Sequence, residues 1–183
     1  MRKIILDLAV SLDGFIEGKN GEIDWCILDE EVSEELLKLA SRIDTVLYGR
    51  ISYDGYGNYT PVDTASDFEK QFYGQINQMH KVVFTRNEDF NAPGATIIRD
   101  NIKEAVTQLK SQPGKDIWLF GGASLISALI AEDLVDEYRI AVHPVVLGAG
   151  KPLFSDVKGR INLRLTHTRA FSSGLVGLYY QRS

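Results

Sequence analysis

The chain has 183 residues, 44% of them hydrophobic, enough to bury one core and short for two. A formal net charge of -5 speaks against general affinity for nucleic acid or an anionic membrane surface, since both need a basic face. The one cysteine, Cys26, allows no internal disulfide and no cysteine-ligated metal cluster, and no apolar run approaches membrane-spanning length, so a single cytoplasmic domain over residues 1–183 is expected.

Residues 3–10 are almost continuously apolar and rich in β-branched side chains, as a central strand would be. Asp7 is the exception; its structural reading is a sheet-edge position or a pairing with an arginine. The basic start Met1-Arg2-Lys3 is followed by no small-residue cleavage pattern and reads as strand, not signal peptide. Residues 11–24 (SLDGFIEGKNGEID) hold three glycines and Asn20, a long turn-rich loop of the kind that forms lids. Trp25 closes it, either as a core anchor or as the floor of a pocket.

Asp29, Glu30 and Glu31 precede Val32, Leu36, Leu39, Ala40 and Ile43, which is helical spacing with acids in the first turn, where they favour the dipole. Most of these acids read as a solvated capping face, while Asp29 and Ser33 fall near the edge of the apolar stripe. Residues 45–48 form the next strand. Gly49-Arg50-Ile51-Ser52-Tyr53 follows, and an arginine behind a strand-ending glycine can grip a phosphate with two hydrogen bonds. Residues 54–61 are too irregular for a helix; their tyrosines either stack on a planar ligand or cover the core edge. Residues 66–79 predict a helix, and 80–86 a strand ending in Thr85 and Arg86. A short strand over 97–99 and a helix carrying Ile102, Ala105, Val106 and Leu109 come next, stopped by Pro113-Gly114.

Residues 116–126 (DIWLFGGASLI) read as strand, tight turn and helix. A turn without side chains at a helix start suits a phosphate, though paired glycines also occur in such turns that bind nothing. Residues 135–147 predict a long strand with Pro144 near its end, 148–152 a turn, and 161–168 with 175–181 a closing hairpin. Four strand ends, after Val10, after Tyr48, at Thr85-Arg86 and after Phe120, carry Gly, Arg, Ser and Thr. In an open α/β sheet such ends share one ligand crevice.

In this order the segments resemble the dihydrofolate reductase superfamily, and within it the reductase domain of bacterial riboflavin biosynthesis. Residues 8–16 and 20–25 resemble its first strand, mobile loop and tryptophan, and 46–53 its glycine-arginine turn. Residues 82–86 resemble the strand ending at the cofactor's ribose phosphate, and 117–126 the double-glycine strand beneath the pyrophosphate. Residues 135–139 and 143–154 are similar to riboflavin-type reductases in particular. The resemblance implies an α/β three-layer fold: a central mixed, mostly parallel sheet flanked by helices, with a C-terminal antiparallel hairpin. It also implies NADPH as cofactor and hydride transfer to a C=N or C=O of a small pterin, folate or aminopyrimidine-like substrate. The alternative is a non-catalytic nucleotide-binding module that keeps the fold and the crevice.

By the same carry-over, Gly49, Arg50 and Ser52 bind cofactor phosphates, and Thr85 and Arg86 sit by the 2′-phosphate. Gly121, Gly122, Ala123, Ser124 and Leu125 pass under the pyrophosphate and nicotinamide ribose. Ala9 and Ile16 edge the nicotinamide. The candidate proton donor belongs to the helix after Trp25: Glu30 counted forward from Trp25, the position of Ser33 counted back from Gly49, Asp29 by helical phase. Trp25 and Asp54 are candidate substrate contacts. Riboflavin synthesis itself is not the first choice, because no His/Cys set is present to ligate the zinc of the accompanying deaminase. Cys26 reads as a small buried hydrophobe, His80, His143 and His167 lack ligand spacing, and a Gly-x-Ser-x-Gly elbow is absent. A homodimer is implied by the resemblance and suggested by the long apolar strand over 138–147.

Overall fold

The computed structural model describes residues 1–155, 157 and 159–183. Its central strand is β1 (Ile4–Ser11), whose side chains alternate between two cores because successive Cβ atoms leave opposite faces of a sheet. Ile4, Leu6 and Val10 enter one core and Ile5 the other. On one side of β1 run β6 (Asp116–Gly121), β3 (Ile43–Gly49), β4 (His80–Phe84) and β5 (Thr96–Ile98), all parallel. On the other lie parallel β7 (Glu137–His143), then β10 (Val176–Arg182) and β9 (Leu163–Ala170) as the expected antiparallel hairpin.

Helices cover both faces, giving the three layers. Leu39 and Ala40 of α1 (Glu30–Arg42) and Phe72 and Ile76 of α3 (Asp67–Ile76) pack on Ile5, Val46, Tyr48, Val83 and Trp118. Val106 and Leu109 of α4 (Ile102–Ser111) and Leu125, Ile126, Leu129 and Ile130 of α5 (Ala123–Ala131) pack on Ile4, Leu6, Leu47, Val82 and Leu119. Each such aliphatic side chain, fully buried, contributes roughly 1.5–3 kcal/mol. No helix among the described residues is long and apolar enough to cross a membrane.

Four expectations are corrected. Residues 11–24 are not all loop, because β2 (Phe15–Gly18) pairs antiparallel with β8 (Gly150–Pro152) in a separate ribbon. Strands of four and three residues are too short for alternation to show in sequence. The turn at 11–14 is tied to this region by the Asp13 carboxylate, which accepts from Leu147 N at 3.1 Å and Gly148 N at 2.8 Å. β7 stops at His143, because Pro144 has no N–H for the ladder. It is also an interior strand between β1 and β10, so its apolarity is accounted for by the sheet. Finally, the chain after α2 (Arg50–Ser52) continues as one π-helical turn, Tyr53–Gly57, where no helix was expected. Its tyrosines cover the core edge: Tyr53 is buried, and Tyr56 leans on Phe120 at 5.4 Å.

Candidate functional site

The carboxyl ends of β3, β4 and β6 open into a cleft of about 470 Å³, within the range of small-ligand sites. Two glycine turns make its base. A Cβ on Gly49 would stand 3.3 Å from Gly122 N, and one on Gly122 would stand 3.1 Å from Ser52 Oγ, so the turns approach backbone to backbone. Gly121 has φ +135, in the region that favours glycine. It is buried beneath the cleft, whereas Gly122, Ala123, Ser124 and Leu125 line it. Gly122 caps α5 without a side chain, and the first N–H of this helix to find a partner inside it is that of Leu125, on Gly122 O at 3.0 Å. The N–H groups of the first turn are thereby left for a ligand, at the positive end of the dipole.

The opposite wall comes from β4, β5 and α4. Thr85 and Arg86 follow the last residue of β4 and line the cleft, and Arg86 is exposed with no ion-pair or hydrogen-bond partner among the described residues. Arg99 donates to the carbonyls of Asn87 at 2.9 Å and of Glu88 and Phe90 at 3.1 Å, which fixes the loop that carries Arg86. Phe84, Ile98, Ile102 and Ala128 supply apolar surface between the polar groups. Arg50 is ion-paired with Asp54 at 3.0 Å, and Lys151 of the β2–β8 ribbon with Glu17 at 3.5 Å. Three arginines and one lysine therefore face one glutamate across the lining. This is a local basic pocket on an acidic protein, the composition that attracts a polyanion.

The structure brings together nine of the residues singled out from the sequence: Gly49, Arg50, Ser52, Thr85, Arg86, Gly122, Ala123, Ser124 and Leu125 all line this cleft. Sequence reasoning missed Arg99, although it directly follows a strand, and Lys151, which stood in a segment read as a turn. Ala9 and Ile16 lie outside the lining. Ala9 is half-buried on β1, and Ile16, on β2, packs against the core. Asp54 reaches the site only through its ion pair with Arg50.

Trp25 is half-buried, with its ring edge-on to His143 at 5.4 Å and its Nε1 donating to Glu22 O at 3.1 Å. It bounds a different surface, the face of β1 and β7 beneath α1. Three rows cross the strands there. Ser11 pairs with His143, Ala9 with Ala141 and Gly177, and Asp7 with Arg139 and Tyr179. His143 is buried, its Nδ1 accepts from Ile27 N at 3.1 Å, and burial lowers its pKa. Burial, helped by Asp24, pushes the Cys26 thiol up to about 11, so it is no nucleophile at neutral pH.

The acids expected to donate a proton from α1 have other work. Asp29 is the helix N-cap, accepting from Val32 N at 2.9 Å. That hydrogen bond holds its carboxyl below the ordinary range, the opposite of what a proton donor requires. Glu30, the first residue of the helix, is exposed. Neither borders the cleft or the cavity beneath α1.

Comparison with known proteins agrees with this architecture. The YyaP protein of Bacillus subtilis strain 168 is 54% identical over 179 residues, covering 98% of this chain and 94% of its own. YwjB of the same organism is 37% identical over 186 residues, covering 100% and 99%. Among solved structures, a riboflavin biosynthesis candidate from Shewanella sp. PV-4 superposes with a TM-score of 0.78 at 22% identity, covering 100% of this chain and 99% of that one. The dihydrofolate reductase of Enterococcus faecalis, complexed with NADP(H) and RAB-propyl, gives 0.68 at 17% identity and covers 99% and 96%. RibD of Acinetobacter baumannii gives 0.75 at 18%, this chain spanning 58% of its length. These likenesses establish the dihydrofolate-reductase-like fold, and the match of residues 2–177 to the family pattern places this chain in the RibD C-terminal domain family.

Proposed function

We propose that this protein is an NADPH-dependent reductase that transfers hydride to a C=N or C=O of a small heterocycle, of the pterin, folate or aminopyrimidine kind. The observation that carries the reading is the cleft at three parallel strand ends, with its excess of cations and the uncapped start of α5 around an apolar wall. A dinucleotide has this pattern in complement: charged phosphates between flat, apolar rings. The family is that of a reductase domain, and the similar Enterococcus faecalis enzyme was solved with NADP(H), both of which support the choice of cofactor.

Within the cleft, Ala123 and Ser124 at the start of α5 offer N–H groups to the pyrophosphate, and the glycines of the two turns let the backbone approach it. Arg50 and Ser52 add charge and a hydroxyl from the β3 turn. Thr85 and the unpaired Arg86 select the 2′-phosphate, whose extra charge distinguishes NADPH from NADH. Lys151, on the β2–β8 ribbon, closes the positive rim from above. Ala9 and Ile16 edge the nicotinamide. The cofactor supplies the hydride; the chain supplies orientation and the exclusion of water. Titration with NADPH, followed by nicotinamide fluorescence, tests the reading, and absence of binding at high micromolar cofactor refutes it.

The second reading, a binding module without chemistry, is favoured by one observation: Asp29 is a helix cap and not an acid facing a substrate. It predicts NADPH binding with no oxidation across a panel of pterins, folates, flavins and aminopyrimidine ribosides.

A further inference from the structure

β4 buries one charged side chain, Lys81, which is only 8% exposed. Alternation along the strand puts it on the face of Val83, in the layer packed by α1 and α3. Among the described residues no carboxylate pairs with it. Its ammonium donates instead to two amide oxygens, Asn77 Oδ1 at 3.1 Å and Asn58 Oδ1 at 3.3 Å. A buried cation held only by neutral acceptors is costly, and burial lowers the Lys81 pKa for that reason. The sheet alone would be served better by an apolar residue, as it is at Val82 and Val83.

The two asparagines show what the lysine holds. Asn58 caps the π-helical turn Tyr53–Gly57, and its Nδ2 donates to the Tyr53 hydroxyl at 2.8 Å. Asn77 caps α3, and its Nδ2 donates to Tyr59 O at 3.0 Å. Both ends of the segment 53–59 therefore converge on one ammonium. The turn is closed on itself as well, because Gly57 lies against the Tyr53 ring, where a Cβ would come within 2.3 Å of Cδ2. π-helical turns are rare, and they occur frequently at functional sites.

This turn adjoins the cleft. It begins directly after Ser52 and contains Asp54, the ion-pair partner of Arg50 at 3.0 Å. Arg50 and Ser52 line the cleft from α2, a helix of three residues whose N-cap, Gly49, offers no side-chain hydrogen bond. So short a helix has no stability of its own and takes its position from the chain around it. β4 meanwhile runs on into Thr85 and Arg86 on the opposite wall. One strand thus sets both walls: Arg86 directly, at its carboxyl end, and Arg50 through Lys81, near its start.

We propose that Lys81 is a positioning residue of the cleft: it holds the turn that keeps Arg50 and Ser52 at the spacing from Arg86 that a dinucleotide requires. This rests on the NADPH reading above and adds to it a determinant outside the lining. Removing the ammonium leaves the Asn58 and Asn77 oxygens without their donor and lets the Tyr53–Gly57 turn shift with Asp54 and Arg50. Thr85, Arg86 and the start of α5 stay in place, because the ladders that carry them are made by backbone. The loss therefore falls on the Arg50 wall and spares the Arg86 wall.

Lys81→Met tests this, since an unbranched apolar side chain fills the space and removes the donors. NADPH affinity, read by nicotinamide fluorescence, should fall about tenfold. Added to Arg50→Ala, the same substitution should weaken binding by less than about twofold more, because the group it positions is gone. Added to Arg86→Ala, it should still weaken binding about tenfold. A general loosening of the fold would lower affinity equally in both backgrounds. Should Lys81→Met fail to fold, Asn58→Ala at an exposed position breaks the same link and carries the same expectations. Wild-type affinity in the variant that folds, or an equal loss in both arginine backgrounds, overturns the proposal alone. A wild type that binds no NADPH overturns the cofactor reading and this proposal with it.

Discussion

Replacing Asp7 with asparagine removes the acid inside β1 while keeping its shape and a carbonyl for Arg139. Burial pushes the native carboxyl from 3.8 up to about 6, with Arg139 opposing and Glu35 and Glu137 reinforcing. The folded-state value lies above the unfolded one, so the folded chain holds this proton more tightly. The group's contribution to stability is therefore fully present below pH 3.8 and is lost as pH rises through about 6. The whole difference is worth about 3 kcal/mol, of which about 1.4 kcal/mol falls between pH 5 and pH 8. At 16% exposure, solvent screening leaves most of that in place. Urea denaturation at pH 5, 6, 7 and 8 reads it directly. The wild type should lose about 1.4 kcal/mol more than Asp7→Asn across the series. Parallel losses in the two proteins would refute the burial argument.

Three further outcomes follow from the same geometry. Arg86→Ala should weaken NADPH about tenfold or more, since a hydrogen bond to a charged group contributes roughly 1.5–3 kcal/mol, and should leave NADH nearly unchanged. Equal losses for the two cofactors, read by fluorescence titration, would reject the 2′-phosphate assignment. Gly49→Ala puts a Cβ 3.3 Å from the backbone nitrogen of Gly122, which has little freedom to yield. Overpacking of this kind costs roughly 1–3 kcal/mol, so both the unfolding midpoint and NADPH affinity should drop, and a variant unchanged in both would show that the two turns do not need their close approach. Asp29→Ala should lower the unfolding midpoint by a few degrees through loss of the α1 cap and leave turnover intact. Loss of turnover at unchanged stability would restore Asp29 as the acid.

The cleft at the strand ends was legible in sequence because it is built from backbone. A strand that ends in glycine and turns onto a helix announces itself by composition, and Gly49-Arg50, Thr85-Arg86 and Gly121-Gly122 do so within a few residues each. The parallel order of the sheet follows from strands alternating with amphipathic helices. The β2–β8 ribbon was hidden for a different reason. Its two strands are brief, they lie 132 residues apart counted from Gly18 to Gly150, and glycine and proline in them read as turn residues. What holds them is the pairing itself, together with the Asp13 carboxylate on Leu147 and Gly148, and neither is visible until the chain is folded.

The cluster beneath α1 was illegible because it exists only across strands. Asp7 alone in an apolar run is ambiguous between a sheet-edge position and a pairing with an arginine, and Arg139, 132 positions away, looks like any charged residue near a strand start. Register makes the connection: Asp7 falls opposite Arg139 in the same ladder that sets Ala9 opposite Ala141, and β10 brings Gly177 to that row. A one-residue slip in either pairing would send Asp7 or Arg139 into the core under α4 and α5 instead, where Leu6 and Tyr138 now lie. The apolar pattern that fixes the register of β1 and β7 thereby also fixes the ion pair beneath α1. The expectation that Asp7 pairs with an arginine is met: Arg139 Nε stands 3.0 Å from its Oδ2, and the register of the two strands is what brings them together.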